Sequence, residues 1–221
     1  ILILGITGQD GSYLLDFLIK KNYEVHGLIR RSATGNTKNI DHLIKNPKFY
    51  KKSFFLHRGD LLDAVSLKNI INKIQPDEIY NFADQDHVGW SYEIPIYSFK
   101  TTALSVIEIL EILKNIKKKI KYFQPISSNI FGITNSKKQN EKTLADPNSI
   151  YGLAKLTSYQ ACKMYARIYN LFLCGAIFYN HESLRRTEEY VTRKITKGVA
   201  KIHYGMQDKL LLGNLEQKID F

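Results

Sequence analysis

Apolar runs and helical patterns alternate from Ile1 to Phe178. Ile1–Gly5, Glu24–Ile29, Ser53–His57, Glu78–Phe82, Ile120–Ile126 and Leu171–Phe178 are short, mostly apolar runs, and each predicts a strand. Between them lie helical patterns. Gly11–Lys20 carries Tyr13, Leu14, Phe17 and Leu18 on one helical face. Leu67–Ile74 is closed by Gln75-Pro76-Asp77, one long helix is expected from about Ile96 to Ile116, and another spans Ser149–Ile168. Strands that alternate with helices build βαβ units, and near-continuous apolar strands are buried on both faces of a parallel sheet. The pattern therefore predicts a doubly wound α/β domain over residues 1–179. From Asn180 the alternation is lost, so 180–221 reads as the beginning of a smaller lobe.

Composition narrows the class. A chain of 221 residues with 44% hydrophobic residues can bury one large core, which excludes a disordered or fibrous protein. No apolar run approaches the roughly 20 residues needed to span a bilayer. Ile1-Leu2-Ile3-Leu4-Gly5 is too short, and lacks the basic lead, for a signal peptide. The first residue is not Met, so preceding residues are expected. The formal charge of +11 suits nucleic acid, a membrane surface or a small anion. The lysines are dispersed and no zinc-finger or RNA-binding spacing is present, so the reading is a solvated surface that draws in an anionic ligand, with no nucleic-acid, membrane or metal partner. The densest run, Lys117-Lys118-Lys119 with Lys121, reads as a helix C-terminus. Cys162 and Cys174 both sit in apolar surroundings and are expected as buried free thiols in a reducing cytoplasm.

The first strand runs into Gly5-Ile6-Thr7-Gly8-Gln9-Asp10-Gly11 and then a helix. Glycine allows a tight turn and close approach to a pyrophosphate, while the helix N-terminus presents N–H groups and a positive dipole end. Placed between a strand and a helix at the head of a βα series, the triplet marks a Rossmann-type dinucleotide site. An acidic residue at the end of the second strand would select NAD. Arg30-Arg31 stands there instead and suits the 2′-phosphate of NADP, with NAD as the alternative. Asp60-Leu61 follows the third strand toward the adenine, and Asn81-Phe82-Ala83 follows the fourth along the cofactor's inner face.

Tyr151 and Lys155 stand one helical turn apart, so phenol and ammonium share a face. A nearby cation lowers a phenol pKa, and the phenolate can then take a proton from a sugar hydroxyl while hydride leaves the same carbon. Ser127-Ser128 closes the fifth strand, where a hydroxyl can bond the reacting oxygen. Ser127, Tyr151 and Lys155 are the candidate catalytic residues. Tyr151 and Lys155 are also expected to touch the cofactor.

These motifs resemble the extended short-chain dehydrogenase/reductases, and more closely the GDP-mannose 4,6-dehydratase family. Thr7-Gly8-Gln9-Asp10-Gly11-Ser12-Tyr13-Leu14, Glu24-Val25-His26-Gly27, Asn36-Thr37 with Asp41-His42, Gln75-Pro76-Asp77-Glu78, His87-Val88 and the Asn180-His181-Glu182-Ser183 to Ile195 segment all match that family's pattern. The resemblance implies NADP binding by Gly5, Thr7, Gly8, Gln9, Asp10, Gly11, Arg30, Arg31, Asp60 and Leu61. It implies a GDP-sugar near Asn180, Glu182, Arg185, Val191 and Lys194, where the two cations suit a diphosphate. The sugar is GDP-mannose or a GDP-manno-heptose. The loop from Ser32 to Asp41 resembles one that reaches a neighbouring subunit's cofactor, which implies a homotetramer or homodimer. Family members extend beyond residue 221, so the resemblance implies either that a completing part of the sugar lobe follows or that the lobe is reduced and the sugar site open.

The chain departs from the pattern where the chemistry is decided. Asn129 stands where the family has Glu, and an amide has no titratable proton for the elimination step. Glu141 and Asp146 are nearby acids that could replace it. Ile150 replaces the Pro before the catalytic Tyr, and Ile219-Asp220-Phe221 replaces Arg-Asp-Trp. Three readings stay open: C4 oxidoreduction or epimerisation of a GDP-manno-sugar without dehydration, full 4,6-dehydration, and non-catalytic nucleotide-sugar binding.

Overall fold

All six apolar runs form strands. They are β1 (Leu2–Leu4), β2 (Val25–Ile29), β3 (Phe54–Arg58), β4 (Glu78–Asn81), β5 (Lys121–Ser127) and β6 (Leu173–Phe178). The helices are α1 (Gln9–Lys20), α2 (Asp41–Ile44), α3 (Ala64–Ile74), α4 (Trp90–Glu93), α5 (Pro95–Phe99), α6 (Ser105–Lys114), α7 (Ile150–Tyr169) and α8 (Val191–His203). This computed structural model describes residues 1–133, 138–213 and 215–216, which divide into two units, Ile1–Phe178 and Tyr179–Phe221.

The strands make one parallel sheet in the order β3-β2-β1-β4-β5-β6. The chain winds outward from β1 to β3, then restarts at β4 on the other side of β1. That reversal opens a crevice at the C-terminal ends of β1 and β4, the place where such sheets bind ligands. Successive side chains of a strand take opposite faces. Leu2 and Leu4 thus join a core with Leu67, Ile71, Ile109 and Leu110 from α3 and α6, while Ile3 joins Leu15, Leu18 and Ile40 on the other side. Burial on both faces explains why β1 reads as an unbroken apolar run.

The expected single helix over Ile96–Ile116 is not one regular helix. Between α5 and α6, Lys100–Leu104 forms a π-helical turn. Two hydroxyls take backbone carbonyls of this turn, and a backbone N–H from outside it takes a side-chain hydroxyl. The Ser158 hydroxyl donates to the Thr102 carbonyl at 2.7 Å, the Ser105 hydroxyl to the Thr101 carbonyl at 2.6 Å, and the Gln85 N–H to Thr102 Oγ1 at 3.3 Å. The wide turn ties α7 and the loop after β4 together, and apolar periodicity carries no trace of it.

Two smaller expectations are corrected. Cys162 is buried, and burial pushes its thiol up to about 12, but Cys174 is exposed because β6 is an edge strand. The lysine run lies beyond the end of α6 at Lys114. Lys118 instead serves α3: its Nζ donates to the carbonyl of Gln75, the C-cap of that helix, at 2.5 Å and pairs with Asp77 at 2.8 Å. Among the described residues no helix is long and apolar enough to cross a membrane.

Candidate active site

The chain turns out of β1 at Gly5, whose φ of +76° favours glycine. A Cβ there would lie 2.5 Å from the Phe82 carbonyl, and one on Gly11 would lie 2.3 Å from the Gly5 oxygen. Their absence lets the loop, the first turn of α1 and the exit of β4 close on one another. Gly8 is the N-cap of α1, and its N–H donates to the Gly5 carbonyl at 3.0 Å. A Cβ on Gly8 would meet nothing within 4 Å except the Gly5 oxygen, at 3.3 Å, so the outer side of the turn is open. An open glycine at a helix N-terminus fits a pyrophosphate, so these residues suit a dinucleotide. Thr7, Gln9 and Asp10 complete the turn. The Thr7 carbonyl accepts from Asn39 Nδ2 at 3.0 Å, the Gln9 carbonyl from the Ser12 hydroxyl at 2.9 Å, and Asp10 Oδ1 from Gln9 Nε2 at 3.4 Å. Asn39 was not singled out from sequence. Only the fold brings its amide back onto the loop.

Arg30 and Arg31 follow β2 and are exposed. Arg30 Nη1 donates to the Tyr97 hydroxyl at 2.9 Å, which steadies the guanidinium over the start of α5. Asp60 and Leu61 follow β3. Asp60 Oδ1 accepts from the Leu62 N–H at 3.0 Å, and Leu61 is buried in the core.

The candidate reaction centre, Ser127, Tyr151 and Lys155, lies between the end of β5 and the start of α7. Ser127 is the last residue of β5, and its Oγ accepts from the Asn129 backbone N–H at 3.2 Å and from Asn129 Nδ2 at 3.0 Å. With both hydroxyl lone pairs engaged, the Ser127 O–H can act only as a donor. Helix α7 is capped by Ser149, whose Oγ accepts from the Gly152 N–H at 3.0 Å. Its first turn packs onto the Asn129 turn so closely that a Cβ on Gly152 would lie 2.6 Å from the Asn129 carbonyl oxygen. Tyr151 and Lys155 are both buried, with Lys155 Nζ 5.7 Å from the Tyr151 ring centroid. Lys155 Nζ also donates to the Pro125 carbonyl at 3.0 Å and pairs with Asp84 Oδ2 at 2.5 Å. Asp84 was not singled out from sequence either, because nothing in local spacing joins it to Lys155. The two acids considered as substitutes for the missing Glu, Glu141 and Asp146, are exposed.

The second unit holds the other candidates. Asn180, Val191 and Lys194 are exposed, and Glu182 and Arg185 are half-buried. The Glu182 carboxylate accepts from the Thr192 hydroxyl at 2.5 Å and lies 3.4 Å from Arg186 Nε. It therefore braces the start of α8. The Arg185 N–H donates to Ser183 Oγ at 3.1 Å. Ile219, Asp220 and Phe221 lie outside the described residues.

Residues 2–221 match the family described as GDP-mannose 4,6 dehydratase. The chain belongs to this family. It is 42% identical to the GDP-mannose 4,6-dehydratase of Yersinia enterocolitica, covering 100% of this chain and 60% of that protein. It is 45% identical to GDP-mannose 4,6 dehydratase 1 of Arabidopsis thaliana, covering 100% of this chain and 62% of that protein. The chain thus spans about 60% of the length of these relatives. The fold is shared with more distant enzymes. A dTDP-glucose 4,6-dehydratase from Streptomyces venezuelae, solved with NAD bound, superposes with a TM-score of 0.80 at 21% identity, over 90% of this chain and 62% of that one. A UDP-glucuronic acid 4-epimerase from Bacillus cereus gives 0.79 at 24%, over the same shares. The asparagine at position 129 is thus set within a GDP-mannose 4,6-dehydratase framework.

Proposed function

We propose that the chain is the cofactor-binding part of an NADP-dependent enzyme that oxidises or reduces a GDP-manno-sugar at C4 and does not dehydrate it. GDP-mannose is the first substrate to test and a GDP-manno-heptose the second. Assembly into a dimer or tetramer belongs to the same reading. One observation carries it: the group at the end of β5 is an amide that donates to Ser127 Oγ. A carboxylate in that position could exchange a proton, whereas the amide of Asn129 has no titratable proton to give or take.

Bound at the glycine loop, a nicotinamide cofactor supplies the acceptor for hydride from C4. The protein does the rest. Tyr151, beside the Lys155 ammonium, takes the proton from the C4 hydroxyl. Ser127 donates to the same oxygen and holds it in line. Arg30 and Arg31 offer cations to a 2′-phosphate.

A second reading, full 4,6-dehydration, is supported by the relatives' names at 42–45% identity. Incubating the full-length protein with GDP-mannose and NADP and weighing the sugar product separates the two. Loss of two hydrogens with accumulation of NADPH supports C4 oxidation alone. Loss of one water supports dehydration and shows that another group replaces the Glu.

A further inference from the structure

We propose that Asp84 is a positioning residue of the reaction centre, the counter-ion that fixes the Lys155 ammonium beside Tyr151. The inference takes Lys155 as the ammonium of the proposed reaction. The carboxylate stands on the loop just after β4, and the side chains of Asp84 and Lys155 are only 14% and 5% exposed. An ammonium has three N–H donors. Asp84 Oδ2 takes one at 2.5 Å and the Pro125 carbonyl takes a second at 3.0 Å, so the pair and β5 together hold the group in one place and leave a single donor for phenol or ligand.

The support reaches back through both strands. Asn81, at the end of β4, accepts from the Ala83 N–H at 3.3 Å and donates to Gln124 Oε1 at 3.0 Å. Gln124 Nε2 donates to the Pro125 carbonyl at 3.1 Å, the oxygen that Lys155 also uses. A buried polar network thus joins the loop bearing Asp84 to the strand beneath Lys155. Among the described residues Asp84 is ion-paired with no other cation. Burial pushes its carboxyl up, Lys155 pulls it down, and Asp86 on the same loop and Asp10 at the head of α1 push it up again. Lys155 is therefore the group that favours the carboxylate against burial, and Asp84 is the only carboxylate bonded to Lys155 among the described residues.

A double-mutant cycle tests the pairing in the apo protein, so it does not depend on the reaction being as proposed. Asp84→Asn, Lys155→Met and the double variant of the full-length protein are unfolded in denaturant at neutral pH. Breaking one side leaves a buried charge without its partner, whereas removing both does not. The expected coupling is at least about tenfold in the unfolding equilibrium constant. Additive losses overturn the proposal. If Asp84→Asn alone does not fold, a folded double variant supports the pairing, and an unfolded double variant overturns it. The positioning is read separately. In single turnovers Asp84→Asn should lower the hydride-transfer rate of the saturated enzyme at least about tenfold and change the NADP dissociation constant, measured by cofactor fluorescence, by less than about threefold. A changed affinity with an unchanged rate would assign Asp84 to cofactor binding instead. A wild-type protein with no hydride transfer, together with a coupled cycle, would defeat the proposed reaction and leave the pairing standing.

Discussion

Lys155 and Arg30 are two cations of the candidate site, and they are held in opposite ways. Lys155 is buried, ion-paired and bonded to a backbone carbonyl. Arg30 is exposed and leans on one neutral phenol. Charges inside a low-dielectric site interact strongly and are poorly screened, whereas exposed charges are weakened by water and salt. The proposed reaction centre is thus expected to act as a preorganised unit. The proposed cofactor-tail site at Arg30 is expected to be an adjustable electrostatic one, whose contribution depends on the solution.

The largest effect belongs to the buried side. Tyr151→Phe removes the phenol oxygen, the proposed proton acceptor, so hydride transfer should fall by about 10²–10⁴-fold. NADP affinity should stay within about threefold, because a phenyl ring fills the same buried site. Single-turnover absorbance of the nicotinamide checks the rate. A residual rate near that of wild type would remove Tyr151 from the chemistry and, with it, the reason to treat the two regions as different.

Gly11→Ala comes next and lies between the two regions. The new Cβ would sit 2.3 Å from the Gly5 oxygen and 2.9 Å from Ile6 Cα, both backbone atoms with little freedom to yield. Overpacking of this kind costs about 1–3 kcal/mol. Denaturant unfolding should show that loss, and NADP binding should weaken with it as the loop is pushed open. Wild-type stability would mean that α1 and the loop can separate, so the cradle is softer than its glycines suggest.

Much of this arrangement could be read from the sequence, for reasons that differ by element. The strands were legible because burial on both faces demands a continuous apolar run. The glycine loop and the Tyr151–Lys155 pair were legible because one turn, or one turn of helix, sets their geometry. The π-helical turn at Lys100–Leu104 was not, since it depends on Ser158 and Gln85 reaching it from other elements. Asp84 and Asn39 were missed for the same reason: their partners, Lys155 and Thr7, are joined to them only by the fold. Cys174 was misread because an apolar neighbourhood in sequence does not reveal that β6 is an edge.

On the exposed side, Arg30→Ala should weaken NADP by about tenfold and leave NAD unchanged, since only the former carries the 2′-phosphate that a guanidinium can grip. The difference between wild type and variant should shrink as salt rises, because the Debye length falls from about 10 Å at 0.1 M to about 3 Å at 1 M. Titrations of both cofactors at two salt concentrations measure this. A salt-independent loss would place Arg30 among the rigid groups and erase the contrast with Lys155.

His57 tests the contrast at its midpoint, as a half-buried group with a neighbour that cannot neutralise it. It sits on β3 with its Nε2 2.9 Å from His26 Nδ1, and His26 in turn meets Glu24 at 3.0 Å. Burial lowers the pKa of His57, and His26 and Lys73 lower it further. The folded protein therefore resists a proton that the unfolded chain accepts. With the folded value below the unfolded one of about 6.5, stability is full above that pH and is lost as pH falls through the folded value. Denaturant unfolding at successive pH values from neutral to weakly acid should show a modest decline in wild type. The decline should be shallower in His57→Gln, which keeps an amide donor toward His26 and cannot be charged. Equal slopes would mean that water reaches the imidazole freely, and that partial burial at the sheet edge confers none of the electrostatic character seen at Lys155.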